Sequence, residues 1–387
     1  MLFAATSIAI LSLLIWLGLF FFNGHFWQIR ISDANKEAVA LPTVWPSVVA
    51  VVPARNEAAS IAQTVSALAR QEYPGKFSIV VVDDHSEDGT GALAQKAAEE
   101  AGGVANINVV LAPELAPGWT GKLWALNSGI EKARTNQPEF FWFTDADIVH
   151  APDTLTRLVS RAKHDQLDLT SLMVLLQAQS FAEKLIIPPF LYFFLMLYPP
   201  RWIASPKSRT AGAAGGCVLL RASALERIGG LASIRKEVID DCSLAREVKG
   251  SGGRIWMGLT RASVSLRRYS SVSELQDMIA RTAFTQLDYS ALQLVGTLLG
   301  LLLTFVAPVV LTLSSVPTVW LPALLAWCMM TASFLPTAVF YRLSPIWSPF
   351  LPVAAVFYSY ATFLSALRYW LGRGGQWKGR AQAPGAN

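Results

Sequence analysis

Polar and apolar positions divide the chain into three zones. Residues 2–22, LFAATSIAILSLLIWLGLFFF, form an apolar run without a charge, and long apolar runs return at 291–313, 319–341 and 346–370. Between them, residues 47–290 alternate short apolar runs with polar stretches. SVVAVVP (47–53), FSIVVVDD (77–84), NVVLAP (108–113) and FFWFTDAD (140–147) read as strands, being short and rich in β-branched or aromatic residues. Helical stretches run from Glu57 to Gln71, Gly89 to Ala101 and Leu123 to Ala133. This alternation predicts βαβ units, an α/β fold with a mainly parallel sheet, and ligands at the carboxyl ends of its strands. The polar clusters of this chain sit at those ends.

The flanking runs predict membrane segments. Residues 1–24 read as a transmembrane helix, long enough to cross a hydrocarbon core of about 30 Å. A cleaved signal peptide is the competing reading, but no basic stretch precedes the run and no A-x-A-like site follows it. Arg30 and Lys36 come next, which places the following domain, 47–290, in the cytoplasm. Residues 184–203, KLIIPPFLYFFLMLYPPRWI, contain Pro188, Pro189, Pro199 and Pro200, which are expected to break the run and leave a centre too short to span. An interfacial segment is the preferred reading and a buried core helix the alternative. Residues 291–371 predict about three further spans. That number puts the tail, 372–387, outside, whereas Arg373, Lys378 and Arg380 argue for inside. One re-entrant stretch is the open alternative. The tail is Gly-rich and expected to be disordered.

Composition sharpens this picture. Of 387 residues 53% are hydrophobic and only 15% charged, against about a quarter charged in soluble domains. A disordered chain is excluded and an ordinary cytosolic enzyme disfavoured. All 27 acidic residues lie between Asp33 and Asp288, where they nearly balance the Lys and Arg. The basic excess therefore flanks the apolar runs, which argues for a membrane and against nucleic acid as a partner. Three scattered cysteines and four scattered histidines supply neither a disulfide framework nor a zinc site.

Six clusters carry candidate chemistry. Pro53-Ala54-Arg55-Asn56-Glu57 ends the first strand, where a polar loop can meet a nucleotide; a plain N-cap by Asn56 is the simpler reading. Asp83-Asp84-His85-Ser86-Glu87-Asp88-Gly89-Thr90 ends the second, with carboxylates able to accept from a base or ribose, or with Asp88 as a helix cap. Asp145 and Asp147, two residues apart after a buried aromatic strand, can hold a hard divalent cation together with phosphate. Lys122, in Gly118-Trp119-Thr120-Gly121-Lys122, can neutralise phosphate or be a solvated charge, and the spacing is not that of a P-loop. Gly215 and Gly216 suggest close backbone approach, or tight turns. Asp240-Asp241 form an acidic pair among apolar residues, either functional or capping a helix.

Taken in order, PARNE, DDHSEDGT, GK before a helix, TDAD, the GGC loop and the acidic pair near 240 resemble inverting family 2 glycosyltransferases, over about residues 47–245. The terminal segments look like the lipid-modifying branch, and GWTGKLWALN looks closest to the hopene-associated (hopanoid) glycosyltransferases of bacteria. The resemblance implies a GT-A fold (Rossmann-like) and transfer of one sugar from a nucleotide-diphosphate sugar to a membrane lipid hydroxyl, at the cytoplasmic face of a bacterial inner membrane. By it, Pro53, Arg55, Glu57, Asp83, Asp84, Lys122, Asp145 and Arg281 bind the donor. Asp145 and Asp147 hold Mg²⁺ or Mn²⁺, Gly215 and Gly216 lie on the acceptor side, and Asp241 is the base, with Asp240 replacing the usual Glu. Polymer-forming relatives carry Q/R-x-x-R-W, where this chain has Met278-Ile279-Ala280-Arg281-Thr282, so only Arg281 matches. A polyprenyl-phosphate sugar synthase and a non-catalytic membrane scaffold are the alternatives.

Overall fold

The computed structural model describes residues 2–30, 41–102, 106–373, 376–377 and 380–381; Lys36 and Lys378 lie outside them. The middle zone folds around eight strands: β1 (Val48–Ala54), β2 (Phe77–Asp83), β3 (Asn106–Leu111), β4 (Phe140–Phe143), β5 (Ile148–His150), β6 (Leu169–Leu175), β7 (Val218–Arg221) and β8 (Ile255–Ser265). Their order is β3-β2-β1-β4-β7-β6-β8-β5. The first four strands are parallel, as the alternation predicts, with Val48 opposite both Phe77 and Phe140. The second half is mixed. Strand β7 runs antiparallel to β4 and β6, β8 is parallel to β6, and β5 is antiparallel to β8. The strand after Phe143 also ends earlier than expected, because the chain turns at Thr144 to Asp147 before β5.

Strand β1 is buried throughout because helices cover both faces of the sheet. Its side chains alternate between two cores. Val49 and Val51 meet α4 (Gly121–Ala133), while Val48, Ala50 and Val52 meet α2 (Ile61–Ala69), α3 (Thr90–Glu100) and α5 (Thr154–His164). Pro53 is tolerated in this central strand because the pairing with β4 stops at Val51 and Phe143. Helix α4 approaches β1 and β2 closely at Gly129, where a Cβ would collide with Val51 and Val82. That approach sets how far the N-terminus of α4 reaches across the strand ends.

The run 184–203 behaves differently from the expectation. Pro188 and Pro189 do not break it: α6 continues from Phe181 to Leu197. Its start is fixed by a capping box between Ser180 and Glu183. Packing holds the helix past the prolines. The Tyr192 hydroxyl pairs with Ser333 at 2.7 Å, and Tyr358 donates to the Ile186 carbonyl at 3.0 Å. The chain turns at Tyr198, and Pro200 opens the short α7 (Pro200–Ala204) from the first helical turn, where its missing N–H costs nothing. Helices α8 (Ala222–Arg227), α9 (Asp240–Gly250) and α10 (Val272–Ala280) complete the domain.

Among the described residues, four helical segments are long and apolar enough to cross a membrane. They are α1 (Leu2–Phe22); Ala291–Thr312, made of α11 (Ala291–Leu301), a π-turn over Leu302–Val306 and α12 (Ala307–Thr312); α13 (Pro317–Phe340); and Pro345–Trp370, a 3₁₀ turn leading into α14 (Leu351–Trp370). Trp16 locks α1 to the π-turn, donating to the Thr304 carbonyl at 2.7 Å and meeting Phe305 edge-on. Within the tail, Gln376–Trp377 pairs with Arg380–Ala381 as a two-stranded ribbon.

The close approach at Gly129 yields a stability test. Gly129→Ala forces stiff Val side chains apart and is expected to cost about 1–3 kcal/mol. Gly296→Ala, in α11 with nothing within 4 Å of the added Cβ, should be neutral or slightly stabilising. Unfolding midpoints of the detergent-solubilised variants measure both.

Candidate active site

The topological switch of the sheet lies between β1 and β4, and the chemistry-bearing residues gather at the carboxyl ends of those strands. At its centre stands Lys122, in the first turn of α4. Its Nζ lies 3.0 Å from Asp145 Oδ1 and 3.1 Å from Asp240 Oδ2, so one ammonium joins the loop after β4 to the start of α9. Burial alone would depress Lys122, but the Asp145, Asp240 and Asp241 carboxylates outweigh it and hold it above the ordinary lysine range. The solvated-charge reading of Lys122 therefore fails.

Asp241 faces the same cavity. Its Oδ2 accepts from the Gly215 N–H at 2.8 Å and its Oδ1 from the Cys242 N–H at 2.7 Å. Burial, then the Asp240 charge, push its carboxyl up to about 6, against the opposing pull of Lys122 and the two N–H groups. Neither aspartate caps α9, since Ile239 occupies that position and the pair sits in the first turn, where the helix dipole favours anions. The close-approach reading of Gly215 is met: a Cβ there would lie 3.3 Å from both Asp241 Oδ2 and Lys122 Nζ. Gly216 packs against Val174 and Ile148, and its carbonyl accepts from Thr144 at 3.0 Å.

Asp147 receives Ser265 Oγ at 3.0 Å. Burial, then the Asp145 and Glu57 charges, push its carboxyl up to about 6, with Ser265 and Arg267 working against them. Such crowding of carboxylates at a strand end is a site short of positive charge. Among the described residues no cluster of three or more His, Cys, Asp or Glu forms a protein-only cage. Two hard carboxylates beside a phosphate-sized space fit a divalent cation shared with a diphosphate. Behind them His150 bridges Thr144 and Ser263 at 2.8 Å each, and burial lowers its pKa to about 3, so it is a neutral structural spacer.

The two loops expected at the nucleoside end are laced together. Asn56 N donates to Ser86 Oγ, Asn56 Oδ1 accepts from Glu87 N, Glu57 N donates to Thr90 Oγ1 and Ala58 N to Asp88 Oδ2. Asn56 is thus no helix cap, as Ser60 precedes α2; Gly89 precedes α3, and Asp88 Oδ1 accepts from the Thr90 N–H at 3.1 Å in the first turn of that helix. Asn56 and His85 both adopt positive φ, at 51° and 54°, which marks built loops. Pro53, Arg55 and Glu57 line the cavity, whereas Asp83 and Asp84 do not. Asp83 Oδ1 accepts from Ser86 N at 3.1 Å, and buried Asp84 lies beside Arg55, which also donates to the Asp84 carbonyl. Both shape the loop from beneath.

One cavity of about 890 Å³ joins these groups. Pro53, Arg55, Glu57, Lys122, Asp145, Asp147, Gly215, Gly216, Asp240, Asp241 and Arg281 all line it, so the sequence clusters converge. The cavity also takes Phe190 and Phe194 from α6, Met278 from α10, and Leu364 and Leu367 from α14; of these helices, sequence reasoning missed α14. It also missed Ser265, Arg267 and Tyr269 at the exit of β8, whose signal was a β-branched and small-residue run, ASVSL, ending in Arg267-Arg268.

Comparisons with known proteins agree with this geometry. Residues 49–229 match the family described as Glycosyl transferase family 2. An N-acetylglucosaminyltransferase of Mesorhizobium japonicum is 27% identical over 190 residues, 47% of this chain and 41% of that protein, so the chain spans under half the length of this relative. A solved mannosyltransferase from Pyrobaculum calidifontis, in complex with GDP-Man and Mn²⁺, superposes with a TM-score of 0.60 at 19% identity, covering 94% of this chain and 99% of that one. Fold and match together give the chain a GT-A fold whose residues 49–229 are similar to the family 2 glycosyl transferases, flanked, among the described residues, by helices apolar enough to span a membrane.

Gly215→Ala tests the tight geometry around Asp241 and Lys122. The added methyl is expected to cut turnover by about 10²-fold through displacement of one or both groups. The unfolding midpoint should change far less than in Gly129→Ala.

Proposed function

We propose that the enzyme transfers a single sugar from a nucleotide-diphosphate sugar to a membrane lipid hydroxyl, with inversion, at the cytoplasmic face. The observation that carries this reading is a cavity lined by two sets of elements. The loops after β1 and β4 and the start of α4 bring Arg55, Glu57, Asp145, Asp147 and Lys122. Helices α6, α10 and α14 bring the apolar Phe190, Phe194, Met278, Leu364 and Leu367, together with the charged Glu274, Asp277 and Arg368. Asp241 opens onto the same space beside Lys122. A hydroxyl on a lipid could approach along the apolar residues while the donor diphosphate occupies the first set. The hopanoid-type wording of the GWTGKLWALN segment supports a polycyclic lipid as the acceptor class.

In this mechanism Asp241 takes the acceptor hydroxyl proton as the acceptor oxygen attacks the anomeric carbon. The bond from that carbon to the donor diphosphate breaks on the opposite face, and its electron pair leaves with the diphosphate. Asp145 and Asp147 would hold the divalent cation, which when bound supplies positive charge to the leaving diphosphate. Lys122 and Arg281, both lining the cavity, add charge of the same sign. Gly215 N–H and Cys242 N–H orient the Asp241 carboxylate. Met278 and Thr282 stand where a polymer synthase would have Q/R and Trp, which favours one transfer per acceptor.

A second reading, transfer to a lipid phosphate, is favoured by Arg267 and Arg281 in the cavity lining. A phosphate acceptor needs no strong base, so Asp241 separates the two. For a hydroxyl acceptor, Asp241→Asn should lower turnover by about 10²–10⁴ while donor binding persists. Because the base works deprotonated and its carboxyl sits near 6, wild-type kcat/KM should fall as pH drops below about 6 and level off above it. Near-full activity of Asp241→Asn selects the phosphate acceptor.

The cation is tested separately. Asp147→Ala should abolish Mn²⁺ binding in the presence of nucleoside diphosphate, read by electron paramagnetic resonance, and excess chelator should silence the wild type. Full turnover in chelator refutes the assignment. With labelled donor, most label should extract with lipid as one species; a ladder or an insoluble polymer refutes single transfer.

A further inference from the structure

The fourth apolar segment, Pro345–Trp370, is long enough to cross a bilayer, yet both of its flanks are tied to the catalytic domain. Before it, at the end of α13, Arg261 of β8 donates to the Phe340 carbonyl at 2.8 Å and the Val339 carbonyl at 2.7 Å, and its guanidinium lies over the Phe340 ring. At its far end, Arg368 pairs with Asp277 of α10 at 2.7 Å. Ser365 Oγ accepts from Phe284 N and donates to the Ala280 carbonyl, and Tyr369 stacks on Tyr289 at 4.4 Å. A helix that crossed the membrane once could not have both ends on one water-soluble domain.

The other three segments do connect opposite ends. Asn23, just past α1, donates to the Met196 carbonyl beside the domain, whereas Ala9 packs with Val319 and Ala323 at the start of α13, next to Leu311 and Val316. The distal end is therefore formed by the start of α1 and the turn between α12 and α13. Its sequences, LFAATSI (2–8) and LTLSSVPTV (311–319), contain no charge. Arg30, Arg342, Arg368 and Arg373 all belong to the domain end. The charge asymmetry that orients membrane proteins thus agrees with this arrangement.

We infer that residues 341–373 form a re-entrant segment that enters and leaves the bilayer on the catalytic side, so the chain crosses three times. Its returning helix is the lipid-facing wall of the active-site cavity. This inference rests on the membrane reading proposed above. The 3₁₀ turn that opens it is not left bare to lipid, since Trp327 of α13 donates to the Pro349 carbonyl at 3.2 Å and Trp347 packs 5.3 Å from Phe181 at the start of α6. One side of α14 is sealed by Ala354, Ala355, Ala361 and Ala366, while Val353, Val356, Tyr360, Phe363 and Leu367 stay exposed as an apolar stripe. Leu364, Leu367 and Leu371 also line the cavity, so the helix borders lipid and the reaction space at once. The conflict between three C-terminal spans and a basic tail disappears.

Cysteine labelling of the full-length protein in cells tests this. Cys217, Cys242 and Cys328 are all replaced by Ala, since the first two are buried only while the protein is folded, and single cysteines are introduced by Lys96→Cys in α3, Ser315→Cys in the distal turn and Gln376→Cys beyond the segment. An impermeant maleimide should label Ser315→Cys in intact cells and reach Lys96→Cys and Gln376→Cys only after permeabilisation with denaturant, which makes all three sites reactive. Gln376→Cys sharing the behaviour of Ser315→Cys overturns the inference. Gln376→Cys and Lys96→Cys labelling together from outside, with Ser315→Cys silent, supports the re-entrant segment and overturns only the cytoplasmic orientation. Failure of the membrane reading itself is seen separately, as release of the protein from membranes by alkaline carbonate.

Discussion

The ammonium of Lys122 among three carboxylates is the constraint around which the rest is arranged. Desolvating that charge is costly unless anions surround it, and the aspartates are equally costly without a cation. Lys122 arrives on α4, Asp145 at the turn after β4, and Asp240 and Asp241 on the first turn of α9. The cluster therefore closes only when the sheet, α4 and α9 are all in register. Two glycines make it possible. Gly129 lets α4 lie close against β1 and β2, and Gly215 lets the backbone pass between Asp241 and Lys122.

A second constraint joins this polar centre to the apolar helices. Glu183 does so with a single side chain. Its Oε2 accepts from Ser180 N and Gln179 N at the start of α6, and its Oε1 accepts from Tyr269 N at the exit of β8. These N–H bonds outweigh its burial and hold its carboxyl below the usual glutamate range. The α6 start is thereby fixed to the strand that also presents Ser265 to Asp147. Arg261, earlier on the same strand, anchors the end of α13. Movement of the apolar helices and geometry of the catalytic carboxylates are mechanically linked through β8.

The consequence for function is an active site with walls of different origin. Its polar side belongs to the strand ends that any nucleotide-binding α/β sheet offers. Its apolar lining residues Phe190, Phe194, Met278, Leu364 and Leu367 are borrowed from α6, α10 and α14, elements outside the parallel half of the sheet. In the transfer proposed above, a donor and a lipid would meet without either being drawn wholly into the other's solvent.

Much of this was written in local sequence. Short β-branched runs, the polar clusters at their ends and the charge-free stretches 2–22 and 291–341 declare themselves because period, length and charge are local properties. Proximity is not local. Nothing in the spacing of Lys122, Asp145 and Asp240 shows that one ammonium holds both carboxylates, or that Asp83 and Asp84 do not line the cavity. Pro188 and Pro189 predicted a break because helix propensity is read residue by residue; contacts from Tyr358 and Ser333, far away in the chain, overrode it. Hydropathy likewise counts α14 as a span, since a helix bordering lipid has the same composition whether it crosses or turns back. The ion pair from Arg368 to Asp277, the Ser365 bonds to Phe284 and Ala280 and the bonds from Arg261 place its two ends, and those are facts of tertiary packing.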